Sequence, residues 1–264
     1  MSRRHPPLAE RRPATPASTD LPGPISSHLV PDARTLSLRI GGEGTVLGVD
    51  PHGRPLTVRL FRPTQTRIVL VGSPRCAQLV VYRALACGAR AVIDTARPQV
   101  WSAITAAAPP GTVTVRPLDA GPAPTGGRTH PVLHVDDSPP GDRWNEPPGG
   151  RWNESPDGRW NGSPDGTHPP ELPDGRWTTL LTLREALTPR EVALLDRADL
   201  LLLQPLASSE VAVLTTVLRV PGVDDRLARL PADVLTVAHR RGVRWGRLSV
   251  TGIEHHHFGR ALRR

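Results

Sequence analysis

The stretch VGSPRCAQL, Val71–Leu79, decides how this chain is read. It follows the apolar run RIVLV (67–71) and precedes the apolar, helix-like run CAQLVVYRALACG (76–88). Strand, glycine, helix is the setting of a phosphate-binding loop. Laid on the pattern GxxxxGK[ST], Gly72 falls on the first glycine and Arg75 within the loop. Ala77, Gln78 and Leu79 then stand where the second glycine, the lysine and the hydroxyl residue belong. That chemistry makes three demands: backbone amides closing round the phosphates, a lysine on the β/γ oxygens, and a hydroxyl on Mg²⁺. Ala77 puts a Cβ toward the ligand, Gln78 carries no charge, and Leu79 binds no metal. Arg75 precedes the expected helix and would have to fold back to help. Read alone, the nine residues fit an ordinary strand-to-helix turn equally well.

Outward from this stretch the pattern alternates. After it come a strand ARAVIDTA (89–96) and a helix PQVWSAITAAA (98–108), opened by Pro98 and stopped by Pro109-Pro110. Two further strands follow, GTVTVRPL (111–118) and PVLHVDD (131–137). A strand TTLLTLR (178–184) leads to a helix at 188–198, where Thr188, Pro189 and Glu191 form a capping-box signature. DLLLLQPL (199–206) is a strand, and SSEVAVLTTVLRV (208–220) is a helix opened by serine caps. A short helix at 224–231 leads to a closing hairpin, DVLTVAHR and VRWGRLSV. Alternating strands and helices predict an α/β fold with a mostly parallel sheet buried on both faces. Upstream, TLSLRI (35–40), TVLGVD (45–50) and LTVRLF (56–61), separated by GGEG and DPHGRP, predict a small antiparallel β lead-in.

Two segments carry no such period. Residues 1–34 are rich in Pro, Arg, Ser and Thr and predict a disordered arm. In 138–176 the triplet Arg-Trp-Asn recurs at 143, 151 and 159, and Arg176-Trp177 returns the dipeptide. An eight-residue unit loaded with Pro, Gly and Asp cannot build a solenoid layer. Tryptophan–arginine repeats suit stacking on single-stranded nucleic acid, but residues 138–177 hold seven acids against four arginines and would repel a phosphate backbone. This stretch reads as a long disordered loop that the fold can lose. The expected organisation is therefore an arm (1–34), a first α/β part with the lead-in (35–137), the repeat loop (138–176), a second α/β part (177–252) and a basic tail (253–264).

Composition narrows the function classes. All 33 basic residues are arginine, and the formal net charge is +8. Between His239 and Arg264 seven arginines face one glutamate, a net of +6 (7 − 1). Such a stretch could meet an acidic partner, an anionic membrane face or nucleic acid, or be a solvated tail. The first residues hold no apolar core of a secretory signal, and no run nears the ~20 apolar residues of a spanning helix. A cytoplasmic protein is expected. Cys76 and Cys87 lie eleven residues apart in one expected helix, roughly 16 Å, too far to pair. Cys76 near a helix start invites a lowered thiol pKa, without an identifiable histidine partner. His255-His256-His257 is metal-like in composition, but no Asp, Glu or Cys partner is evident, so no metal site is assigned.

Asp136-Asp137 end an apolar strand where a Walker B carboxylate would stand. With the leader VLGVDPHGRPLTVRLFRPTQTRIVLVG (46–72) and the closing ADLLLLQPLASSEVAVLTTVLRVPGVDDRLARLPADVLTV (198–237), the order resembles the FtsK/SpoIIIE motor family, particularly the EccC-type ATPase modules of actinobacterial type VII (ESX) secretion. The resemblance covers about 44–137 and 177–252. It implies a RecA-like P-loop three-layer domain. It also maps the family's lysine, hydroxyl and catalytic acid onto Gln78, Leu79 and Asp137, which leaves a motor fold without its chemistry. The expectation is a catalytically inactive pseudo-ATPase with no cofactor, working as a binding or scaffold protein beside a secretion ATPase or its membrane complex. The rival expectations are a nucleotide sensor or weak NTPase and an FtsK-like DNA-associated protein, nucleic acid being the less favoured partner.

Overall fold

The computed structural model describes residues 44–121, 124–139, 175–218, 224–239 and 242–259. In chain order the elements are β1 (Thr45–Val49), β2 (Pro55–Val58), β3 (Thr66–Val71), α1 (Pro74–Ala86) and β4 (Arg90–Thr95). A 3-10 turn, Pro98–Trp101, runs into α2 (Ser102–Ala107), followed by β5 (Val113–Arg116), β6 (Val132–Asp137) and β7 (Thr178–Arg184). A second 3-10 turn, Pro189–Glu191, opens α3 (Val192–Asp196). Then come β8 (Leu200–Leu203), α4 (Ser208–Thr215), α5 (Asp224–Leu227), β9 (Val234–His239), β10 (Gly242–Leu248) and α6 (Gly252–Phe258).

All ten strands join one sheet in the order β2-β1-β10-β9-β8-β3-β7-β6-β4-β5. From β8 to β5 every neighbouring pair is parallel, and from β8 to β2 every pair is antiparallel. The lead-in strands are therefore not a separate layer: β1 pairs with β10 and extends the sheet. The expected strand at 35–40 lies outside the described residues.

Side chains alternate across the strands and build a core on each face. One face carries Leu70, Ile93, Leu133 and Leu181 and meets Val80 of α1, Ile104 of α2 and Phe258 of α6. The other carries Val69, Val71, Leu201 and Leu203 and meets Leu195 of α3, Leu214 of α4 and Leu227 of α5. Helices on both faces of a largely parallel sheet make three layers, with β3 at the centre. This is a three-layer α/β architecture with a mixed, largely parallel sheet.

Three local expectations are corrected. The helix α1 begins at Pro74, because Ser73 is its N-cap and accepts from the Cys76 N–H at 3.3 Å; Arg75 thus lies inside the first turn rather than before it. The helix α4 is not opened by serine caps: Glu210 Oε2 reaches back to the Ala207 N–H at 2.7 Å, and Ser208 and Ser209 are already helical. Residues 252–258 are not a solvated tail but α6, opened by a capping box of Thr251 and Glu254. Arg260, Arg263 and Arg264 lie outside the described residues.

The repeat segment also lies outside them, except at its ends. The strands on either side do constrain it: β6 and β7 are parallel neighbours, with Val132 opposite Thr178 and Asp136 opposite Thr182. A parallel pair needs a connection that returns along the whole strand, a dozen residues or more. The expectation that 138–176 can be dispensed with is overturned on that ground.

Candidate functional site

Parallel strands deliver their C-terminal ends to one edge, where α/β proteins place their sites. Here that edge gathers Gly72 after β3, Arg184 at the end of β7, Asp136 and Asp137 at the end of β6, Thr95 at the end of β4 and Gln204 after β8. Gly72 does what its glycine suggests: the backbone turns so closely that a Cβ would fall 2.5 Å from Gln204 Oε1. The crowding comes from the protein itself. Gln204, itself buried, accepts from the Ser73 N–H at 2.7 Å, and the Gly72 N–H donates to the Arg184 carbonyl at 2.8 Å. Only two residues, Gly72 and Ser73, separate β3 from α1. The N–H groups of Gly72, Ser73 and Cys76 are thus spent on Arg184, Gln204 and Ser73.

The remaining loop positions sit elsewhere. Ala77, Gln78 and Leu79 are helical and buried, Ala77 in the core against the sheet. So Ala77 does not push a Cβ toward a ligand. Gln78 donates its Nε2 to the Val100 carbonyl and ties α1 to the turn before α2. Arg75 is exposed, with its guanidinium beside Gly259, the C-cap of α6. Cys76 is fully buried, and burial pushes its thiol up to about 12; the helix start does not lower it. Cys76 and Cys87 are both free thiols.

The two acids of β6 part company because successive strand residues face opposite ways. Asp137 faces the α1–α2 layer and accepts from Thr95 Oγ1 (2.8 Å), Trp101 Nε1 (2.8 Å) and Arg97 Nη2 (2.6 Å) and Nε (3.1 Å). The hydrogen bond to Asp137 raises the Arg97 pKa, helped by a second ion pair to Glu185. Asp136 faces the opposite layer, 4.0 Å from Arg184 Nη2. Arg184 is buried, donating to the carbonyls of Leu183 (2.7 Å) and Ser138 (3.1 Å).

The sequence did not mark the rest of this polar row. Asp94 lies opposite both Arg116 and Asp136 in the sheet. It is buried and accepts from Arg116 Nε at 2.8 Å, with His134 Nε2 at 2.8 Å. Each buried aspartate at this end of the sheet therefore has an arginine beside it: Arg116 for Asp94, Arg184 for Asp136 and Arg97, shared with the exposed Glu185, for Asp137. The available signal was a charged or polar residue inside an apolar parallel strand, at Asp94, His134 and Arg184. The pairing itself is set by topology. Arg97 and Gln204 sit in turns, where nothing distinguishes them. His255, His256 and His257 are exposed on α6, His257 with its ring 6.1 Å from that of Tyr82.

No protein-family model and no curated protein matches the chain. Among solved structures, it is similar to the cytoplasmic domain of the Thermomonospora curvata type VII secretion ATPase EccC, at 12% identity and a TM-score of 0.47 over 78% of this chain. It spans 28% of that protein. It is also similar to the genome-packaging NTPase B204 of Sulfolobus turreted icosahedral virus 2 in complex with AMPPCP, at 10% identity and a TM-score of 0.44, covering 72% of this chain and 100% of that one. Likeness this low speaks to no activity. The architecture stands on the strand order and the glycine turn at the centre of the sheet. No helix among the described residues is long and apolar enough to cross a membrane.

Proposed function

We propose that this chain is a P-loop-like domain that does not turn over nucleotide and serves as a binding or scaffold component beside a type VII secretion ATPase. The observation that carries the first half is the Ser73 N–H donating to Gln204 Oε1. Phosphoryl transfer rests on positioning and charge neutralisation. Here the short turn spends its amides internally, the lysine position is a buried glutamine, and each nearby carboxylate is matched by an arginine. The secretion context is supported by the sequence resemblance of the leader and closing segments. A cytoplasmic place at the secretion membrane complex follows from the same reading.

The test uses the full-length chain, titrated with Mg-ATP in a calorimeter and assayed for phosphate release, then presented to the purified cytoplasmic part of a type VII ATPase. The expected result is no saturable nucleotide binding, no turnover above buffer and a complex with the ATPase. Saturable Mg-ATP binding with turnover that co-elutes with the protein would replace this reading by an NTPase. A shift of random DNA duplex at physiological salt, with no complex, would replace it by a DNA-associated protein, since phosphate contacts are independent of sequence.

A further inference from the structure

Among the described residues the exposed large apolar side chains are Val46 (44% exposed), Val49 (40%), Val250 (36%) and Ile253 (63%). They belong to two short segments, β1 and the stretch from the end of β10 into the first turn of α6. The sheet brings those segments together: Gly48 lies opposite Leu248, and the Ser249 N–H donates to the Leu47 carbonyl at 3.2 Å. Continued by that bond, the register sets Val250 across from Val46. The register against β2 shifts between Val46 and Gly48. In an unbroken strand residues 46 and 49 would face opposite ways. The irregularity leaves both valines exposed.

One partly buried side chain fixes the corner. Arg83 of α1 donates to the Val46 carbonyl at 2.7 Å, to the Ser249 carbonyl, and to both Glu254 oxygens at 2.7 and 2.8 Å. Its three anchor points are Val46 itself and the immediate neighbours of Val250 and Ile253. The patch is thus held on a rigid frame before any partner arrives, which lowers the ordering cost of binding.

We infer that this corner, Val46, Val250 and Ile253 with Val49 beside them, docks a protein partner whose contact surface is apolar and framed by carboxylates. The sign comes from the surrounding charge. From His239 to Arg264 the single acid is Glu254, and it is buried against Arg83. Among the described residues of that stretch the exposed charged side chains are Arg244 and Arg247 on β10, with Arg247 opposite Val49 in the register. Arg247 pairs with the half-exposed Asp233 at 3.6 Å. A second copy would oppose like charges. A membrane surface calls for the aromatic and long apolar side chains that seat in the interface, and this patch is built of Val and Ile. The surface deepens the scaffold reading above but does not depend on which protein the partner is.

The probe is a twelve-residue peptide alternating glutamate with leucine, titrated into the full-length ¹⁵N-labelled chain, with a lysine–leucine peptide as control. The expected result is amide shifts centred on Val46, Val250 and Ile253 with the acidic peptide alone. Affinity should weaken about tenfold in Ile253→Asp, the order expected for withdrawing one apolar side chain from a contact. Ile253 sits in the first turn of α6, where an aspartate favours the helix, so the variant should fold; Val46→Asp is the second, independent variant. Shifts absent, spread over the surface or confined to 260–264 would overturn the inference. So would phosphatidylglycerol vesicle binding that the same variants abolish, or a dimer that they dissociate. Failure of the secretion ATPase to bind, with the peptide result intact, would count against the proposed partner and not against the surface.

Discussion

Trp101 donates its indole Nε1 to Asp137 Oδ2 at 2.8 Å, inside the core between the sheet and α2. The carboxylate that the sequence offers as a Walker B acid is thus the acceptor that satisfies a fully buried tryptophan. It also receives Thr95 and the forked guanidinium of Arg97. Its work is to fasten the ends of β4 and β6 to the turn before α2.

That role predicts the phenotype of Asp137→Asn. Replacing the carboxylate leaves Arg97 without its buried counter-charge and supplies an amide where acceptors are needed. Because Arg97 is about a third exposed, water recovers part of the loss, and the expected cost is about 1–3 kcal/mol in urea unfolding. Stability unchanged within ~0.5 kcal/mol, with a nucleotide activity that the variant abolishes, would return Asp137 to the catalytic role.

Gly72 and Gln204 should behave as one unit. Gly72→Ala drives a methyl into the Gln204 side chain, displacing it from the Ser73 N–H, and should cost about 1–3 kcal/mol. Gln204→Ala removes the obstacle and the acceptor together. The double variant should therefore be more stable than the sum of the two single effects by at least ~0.5 kcal/mol. Strict additivity in the double-mutant cycle would mean that Gln204 does not fill the turn.

The α6 clamp has a pH signature. Burial pushes the Glu254 carboxyl up, but the bonds from Arg83 and from the Thr251 N–H outweigh it and hold the group below the usual carboxylate range. A depressed folded-state pKa gives stability that is present above the ordinary glutamate value, ~4.3, and is lost as pH falls through the folded value. The stability gap between wild type and Glu254→Gln should be full at pH 7 and shrink only below about pH 4.3. A gap that stays constant down to pH 3 would show that charge plays no part in holding α6.

Much of the fold was legible because buried parallel strands are written as apolar runs. RIVLV, AVIDT and LLLL are such runs, and each coincides with a strand of the sheet. The capping box at Thr188 and Glu191 was legible for the same local reason. Two equally local cues were hidden. Ser73-Pro74 is the same pair of N-cap and proline as Thr188-Pro189, but the GxxxxGK[ST] pattern laid across it assigns helical residues to a loop. Thr251 and Glu254 spell another capping box, masked by three histidines and a run of arginines. The pairing within the polar row could not be read. Asp94, Arg116, Asp136 and Arg184 come from four strands, and only the strand order makes them neighbours.

The parallel pairing of β6 and β7 turns the repeat segment into a question of length. Thr178 lies opposite Val132, five residues back along the sheet from Asp137, so the chain must cover roughly 17 Å at 3.3 Å per residue between Asp137 and Thr178. Forty residues, 138–177, are available, where about a dozen suffice. Excising residues 143–158, two whole repeat periods, leaves 24 (40 − 16) and should shift the thermal midpoint by no more than a few degrees. Removing 139–175 leaves three (40 − 37), too short to bridge the gap, and should give no soluble folded protein. If that shorter chain unfolds like the wild type, β6 and β7 are not parallel neighbours. The register of β6 against β7 thus sets a minimum length for the connection and no maximum: a tether that must be long enough, whose further repeats the sheet does not count.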